Sequence, residues 1–96
     1  MIQTIKLVGK NSHEIWIDGK KLHPGKSQKV FNHSPTGFSW GYGGSGCAQL
    51  ALAILLKVTG SKEIALAHYQ QFKWDVIAKI KNKNSFKMEI EIPVFN

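Results

Sequence analysis

Chemistry in this 96-residue chain concentrates in one stretch, Phe31 to Gly46, which reads FNHSPTGFSWGYGGSG and runs directly into CAQLALAILL. Glycine lacks a Cβ, so at Gly41, Gly43, Gly44 and Gly46 a ligand or a neighbouring backbone can approach closely. A helix that follows such a loop offers the unpaired N–H groups of its first turn and the positive end of its dipole. Tyr42, Gly43, Gly44, Ser45 and Gly46 therefore read as an anion-receptive turn, with Ser45 as N-cap and source of a hydroxyl. Phe38, Trp40 and Tyr42 alternate, so an extended segment buries one ring and presents another beside the amides; Trp40 or Tyr42 then flanks a base while the amides hold its phosphate. His33 and Ser34 join this set because the Ser34-Pro35 turn folds the loop back toward the glycines. GYGGSG matches neither GxGxxG nor the P-loop pattern and has no lysine where a P-loop needs one, so nucleoside triphosphate hydrolysis is not indicated. The competing reading is architectural, with glycines letting the helix pass tightly under a sheet and aromatics filling core volume.

Other chemistries are weaker. Cys47 opening a helix near a histidine such as His33 has the make-up of a Cys–His nucleophile pair, but a buried small cysteine is the commoner outcome. His13, His23, His33 and His68 are scattered without metal-ligand spacing, and one cysteine adds no second sulfur. Glu89 and Glu91 share a face, as any exposed strand produces. No acid, base and nucleophile set emerges, so an enzyme is not expected, and neither is a cofactor or metal.

Composition bounds these readings. With 43% hydrophobic and 20% charged residues the chain is an ordinary globule, expected as a single domain over 1–96. The apolar run Ala48 to Leu56 is too short for a membrane span, no signal-peptide pattern opens the chain, and a lone cysteine suits a reducing cytoplasm. The net charge of +7 is carried by 13 lysines and no arginine. Without arginine's planar fork, bidentate base reading is disfavoured, and any nucleic-acid binding is expected to be weak and non-specific. A diffuse anionic partner fits better: a phosphate-bearing ligand, a nucleic-acid backbone or an acidic protein surface.

The elements that position the junction are legible. Thr4 to Val8 and Glu14 to Ile17 read as strands, Asp18-Gly19 as a type I′ hairpin turn before Lys20 to Leu22, and Gln28 to Phe31 as a further short strand. Cys47 to Val58 is apolar on nearly every side, which predicts a centrally buried helix ending at Thr59-Gly60. A second helix starts after Ser61 as cap with Glu63 in its first turn. Its apolar stripe is Ala65, Tyr69, Phe72, Val76 and Ile80, with Lys62, Lys73, Lys79 and Lys81 mostly off it. Lys87 to Ile92 alternates strictly before Pro93, as a half-buried strand near a sheet edge does. The expected fold class is α+β, a small antiparallel sheet of about three to five strands packed on an αα-hairpin.

The segment GFSWGYGGSGCAQLALAIL, Gly37 to Leu55, resembles the signature of a family of small uncharacterised proteins of bacteria, phages and other mobile elements, a domain of unknown function. The likeness extends loosely to the second helix and final strand, where Tyr69 and Phe72 show a Tyr-x-x-Phe spacing. It implies an α+β domain whose signature is the glycine loop and helix, and it carries no activity. In the family pattern proline follows the last glycine, where this chain has Cys47, so the resemblance implies that no thiol chemistry is required there. The expected function is a non-enzymatic small binding protein for a phosphate-bearing or nucleotide-like ligand, with homo-oligomerisation compatible with so small a core. The alternative is an interaction or inhibitor protein that meets an acidic protein or nucleic-acid backbone through its lysines.

Overall fold

The structure, a computed structural model, describes residues 2–93. Four strands, β1 (Ile2–Lys10), β2 (Glu14–Ile17), β3 (Lys20–Leu22) and β4 (Phe86–Pro93), form an antiparallel sheet in the order β3-β2-β1-β4. Three helices, α1 (Gly25–Val30), α2 (Ser45–Thr59) and α3 (Lys62–Asp75), and a 3-10 turn (Ile77–Lys79) lie between β3 and β4 in the chain. This is the α+β class expected, with α2 and α3 as the helical hairpin. No helix among the described residues is long and apolar enough to cross a membrane.

Strand alternation decides which sheet face is covered. Ile5, Leu7, Ile15, Ile17, Ile90 and Ile92 are buried, whereas Thr4, Lys6, Lys87, Glu89 and Glu91 are exposed. Asp18 and Gly19 both take positive φ, 50° and 83°, as a type I′ turn requires. Asp18 also fixes the end of the β1–β2 ladder, because its carboxylate accepts the Lys6 N–H at 2.9 Å.

Helix α2 is the centre of the molecule. Every residue from Gly46 to Leu55 is buried. Leu50, Leu52, Ile54 and Leu55 are all removed from water, each worth roughly 1.5–3 kcal/mol relative to exposure. Gly60 ends the helix in the left-handed conformation at φ 67°, and the Ser61 hydroxyl caps α3 by accepting the Ile64 N–H at 3.2 Å.

Four expectations are corrected. Gln28 to Phe31 is not a strand: residues 25–30 form α1, started by Pro24 with helical angles (φ −75°, ψ −15°), whose carbonyl accepts the Ser27 hydroxyl at 2.7 Å. Proline there pre-sets a helical φ as well as punctuating the chain. The second helix does not continue to Ile80. It stops at Asp75, and the 3-10 turn after Val76 redirects the chain so that Ile77 and Ile80 are buried separately. Ser45 is not the N-cap; Gly44 is, in extended conformation, and Ser45 is the exposed first helical residue with no capping bond. Lys73 is not off the buried stripe, because the i, i+4 row of Ala65 and Tyr69 reaches it next.

Trp40 closes the end of the core beside β1. It is 2% exposed, its ring meets Phe86 edge-on at 4.8 Å between centroids, and its indole N–H donates to the Asn82 carbonyl at 2.9 Å. Gly9 makes room for this pair, since a Cβ there would overlap the Phe86 ring and lie 2.9 Å from Trp40 Cη2. Gly9→Ala should therefore overpack this corner and lower unfolding free energy by about 1–3 kcal/mol in urea denaturation, whereas a loss below about 0.5 kcal/mol would show that the rings yield freely.

Candidate functional site

One buried amide sets the loop ahead of α2. Gln49 has no exposed surface, and its Oε1 accepts the backbone N–H groups of His33 at 2.7 Å and Ser34 at 3.0 Å. Its Nε2 donates to the Ser27 hydroxyl at 2.8 Å and the Phe31 carbonyl at 3.1 Å. Both lone pairs and both N–H groups are matched, which removes the penalty of burying a carboxamide and ties α1 and residues 31–34 to α2.

Held this way, His33 and Ser34 meet different surroundings. The His33 ring stacks on Phe31 at 4.2 Å and its Nε2 is 2.7 Å from the Tyr69 hydroxyl. Ser34 is buried, its hydroxyl is 3.3 Å from that of Thr36, and its carbonyl accepts from Gln28 Nε2 at 2.9 Å and from the Gly37 N–H at 3.3 Å. Ser34 is thus a turn residue and His33 is the member that faces α3. Burial first, then the nearby Lys73 ammonium, pushes the His33 pKa below the ordinary 6.5.

The glycine turn is packed from outside by aromatic rings. Tyr42 lies across Gly44 with its hydroxyl 3.1 Å from Ser39 Oγ, and the benzo edge of Trp74 lies on Gly43. A side chain at either glycine would overlap those rings. Gly46 is similarly pressed by Ser39, whose N–H donates to the Gly46 carbonyl at 3.2 Å. The architectural reading of these glycines is therefore supported, but the rings that cover them are on the surface, with Tyr42 50% and Trp74 54% exposed. A lysine ammonium accompanies each, Lys73 at 4.5 Å from the Trp74 centroid and Lys83 at 5.9 Å from that of Tyr42.

Tyr42, Gly43, Gly44, Ser45 and Gly46 are accordingly grouped at the first turn of α2, whereas His33 is held beyond it by Gln49 and Tyr69. Trp40 is excluded from this surface by its place in the core. Cys47 is fully buried with its Sγ 3.8 Å from Ser39 Oγ, while the ring nitrogen of His33 is engaged by Tyr69. Ser45, Gly46 and Cys47 occupy the first three helical positions, whose N–H groups have no acceptor within a helix; the first bond of that ladder is Ala48 N–H to Gly44 O at 3.0 Å.

Four residues that shape this region escape a reading of the loop alone: the buried Gln49, Tyr69 and Lys73, and the exposed Trp74. Gln49 had a signal, being the one hydrogen-bonding carboxamide within the apolar run from Gly46 to Leu55, where it must find partners. Tyr69 and Lys73 are an i, i+4 pair, but only the tertiary packing of α3 on α2 brings them to His33.

Comparison with known proteins agrees at the level of the family. A family model described as a family of unknown function (DUF6166) matches residues 6–92. No curated protein and no solved structure matches the chain.

Two outcomes follow from this geometry. Gln49→Leu leaves the buried Ser34 N–H without an acceptor, and the His33 N–H and Phe31 carbonyl with only their 3.2 Å bond to each other, and should cost about 1–3 kcal/mol, whereas Ser45→Ala, which removes no cap, should stay within about 0.5 kcal/mol, both by chemical denaturation. The unfolded chain takes up a proton at position 33 near pH 6.5 that folded His33 resists. Stability should therefore be full above that pH and decline as pH falls below it, until folded His33 is protonated too. His33→Gln should flatten that decline in denaturation curves recorded between about pH 7.5 and 5.

Proposed function

Because the chain belongs to this family of unknown function, its role has to be read from its own geometry, and we propose that it is a non-enzymatic binding protein for a small phosphate-bearing, nucleotide-like ligand at the N-terminus of α2. Lys73 carries the reading. Only 7% of this residue is exposed, and the one ion pair among the described residues, Lys21 with Glu14, does not involve it. A lysine whose stem is packed away and whose ammonium has no carboxylate partner gains most from an incoming anion.

The surroundings favour the same ligand class. The N–H groups at Ser45, Gly46 and Cys47 and the dipole of α2 favour a phosphate. Trp74 and Tyr42 are exposed rings on which a base can stack, and His33 with Tyr69 offers a hydrogen-bonding pair at the rim. The buried Cys47 thiol and the His33–Tyr69 pairing support binding rather than nucleophilic chemistry. A free thiol also suits the reducing cytoplasm in which we place the protein, as a small factor of the kind mobile elements carry.

Thermal shift and calorimetry with inorganic phosphate, AMP and cyclic AMP test this. A nucleotide at about a hundredfold excess over its Kd should raise Tm by at least about 5 °C. Lys73→Met should weaken phosphate and nucleotide alike by about tenfold, and Trp74→Ala should weaken nucleotide but not phosphate. No stabilisation by any of the three, or unchanged affinity in Lys73→Met, rules the reading out.

A further inference from the structure

A groove of about 570 Å³ runs beside α2, bounded by β3 and α1. Its nearest point on the helix axis to Ser45, at Ala53, is about 12 Å away, and Lys57 is about 18 Å away, so it is separate from the turn described above. Ile17, Leu22, Ala53 and Leu56 supply an apolar floor. The rim is cationic on three sides, with Lys20 from β3, Lys26 and Lys29 from α1 and Lys57 from α2, all exposed. Lys21 also lines the groove but is engaged by Glu14 at 2.9 Å. No aspartate or glutamate lines it, and the four other rim lysines have no ion-pair partner among the described residues.

We infer that this groove docks an acidic amphipathic segment of a partner protein, with apolar side chains on the floor and carboxylates along the rim. Lysine on a short edge strand guards against strand pairing, which accounts for Lys20 and Lys21 but not for the lysines of α1 and α2. Cations arriving from three elements around an apolar centre complement several anionic groups flanking apolar ones. A lipid with one anionic head matches only one side. Single-stranded nucleic acid needs a run of rings for its bases, and His23 is the one ring among the groove's lining residues. A second copy of a +7 chain meeting this face with its own brings lysine against lysine.

Titration of the ¹⁵N-labelled full chain with a short synthetic peptide, a Leu-Phe-Leu centre flanked by Glu and Asp, reads the docking directly. Saturable amide shifts at Leu22, Lys26, Lys29, Ala53 and Lys57 are expected, weakening about tenfold from low to physiological salt. The double variant Lys20→Glu with Lys26→Glu, both exposed and neither in the last turn of a helix, should lose about tenfold or more in affinity with an unchanged Tm. Lys73→Met should leave peptide binding intact, which separates this site from that of the phosphate ligand. Shifts centred elsewhere, equal binding of polyglutamate, or displacement of the peptide from the groove by a single-stranded oligonucleotide or phosphatidylserine vesicles at lower concentration would overturn the inference.

Discussion

Gln49 is a carboxamide in the middle of a helix whose neighbours from Gly46 to Leu55 are all buried, and such a group is tolerable only when each of its hydrogen-bonding positions is matched. The matches come from four residues in two segments: Ser27 on α1 and Phe31, His33 and Ser34 in the loop. Satisfying one side chain therefore fixes where α1 lies, where the loop turns, and which way the His33 ring leaves the backbone. That ring then lies between Phe31 and Tyr69, half-buried. The groove depends on the same bonds, since Ser27 lines it and α1 forms one wall. Both candidate surfaces thus hang on the carboxamide buried in the apolar run of α2.

The glycine turn follows a related logic of close approach. Gly43 and Gly44 have no side chains, so rings from Trp74 and Tyr42 can lie flush against the entry to α2. Gly41, at φ 89°, turns the chain so that its N–H donates to the Ile77 carbonyl at 2.9 Å, tying the loop to the turn after α3. The short 3-10 segment is thereby part of the loop's support. An architectural role for the glycines and a role for the surface they create are compatible, because the groups that face solvent are the rings and the lysines beside them.

Much of this was readable from residue order. Strand alternation at Thr4 to Val8 and Lys87 to Ile92, the Asp18-Gly19 turn, the buried helix and the Ser61 cap all rest on local rules that tertiary packing reinforced. What was hidden depended on distant partners. Gln28 to Phe31 lacks the periodicity to choose between strand and helix, and Pro24 with the Gln49 bond to Ser27 made the choice. Trp40 alternates with Tyr42 as expected, but which of the two is buried depended on Gly9, thirty-one residues earlier. Lys73 looked like another surface cation because of its charge, although it is the next member of the i, i+4 row that buries Ala65 and Tyr69.

Charge is distributed to the same effect. Four of the six carboxylates, Glu14, Asp18, Glu89 and Glu91, belong to the strands or the β2–β3 turn. Register sets Glu89 directly opposite Lys6 and Glu14 opposite Lys10, so the open sheet face carries opposite charges in adjacent positions. Trp16 on β2 has the ammonium groups of Lys10 at 5.2 Å and Lys21 at 5.6 Å. The helical layer has only Glu63 and Asp75, and Asp75 accepts from Gln71 at 2.9 Å. The chain between β3 and β4 holds eight lysines, three of them (Lys79, Lys81 and Lys83) in the 3-10 turn and the loop after it, against those two carboxylates, so most of the +7 excess resides there. A field of one sign over surfaces with apolar or aromatic floors concentrates anions there and speeds their encounter. Fold and charge agree in directing recognition to the helical side of the molecule and leaving the outer sheet face electrostatically balanced.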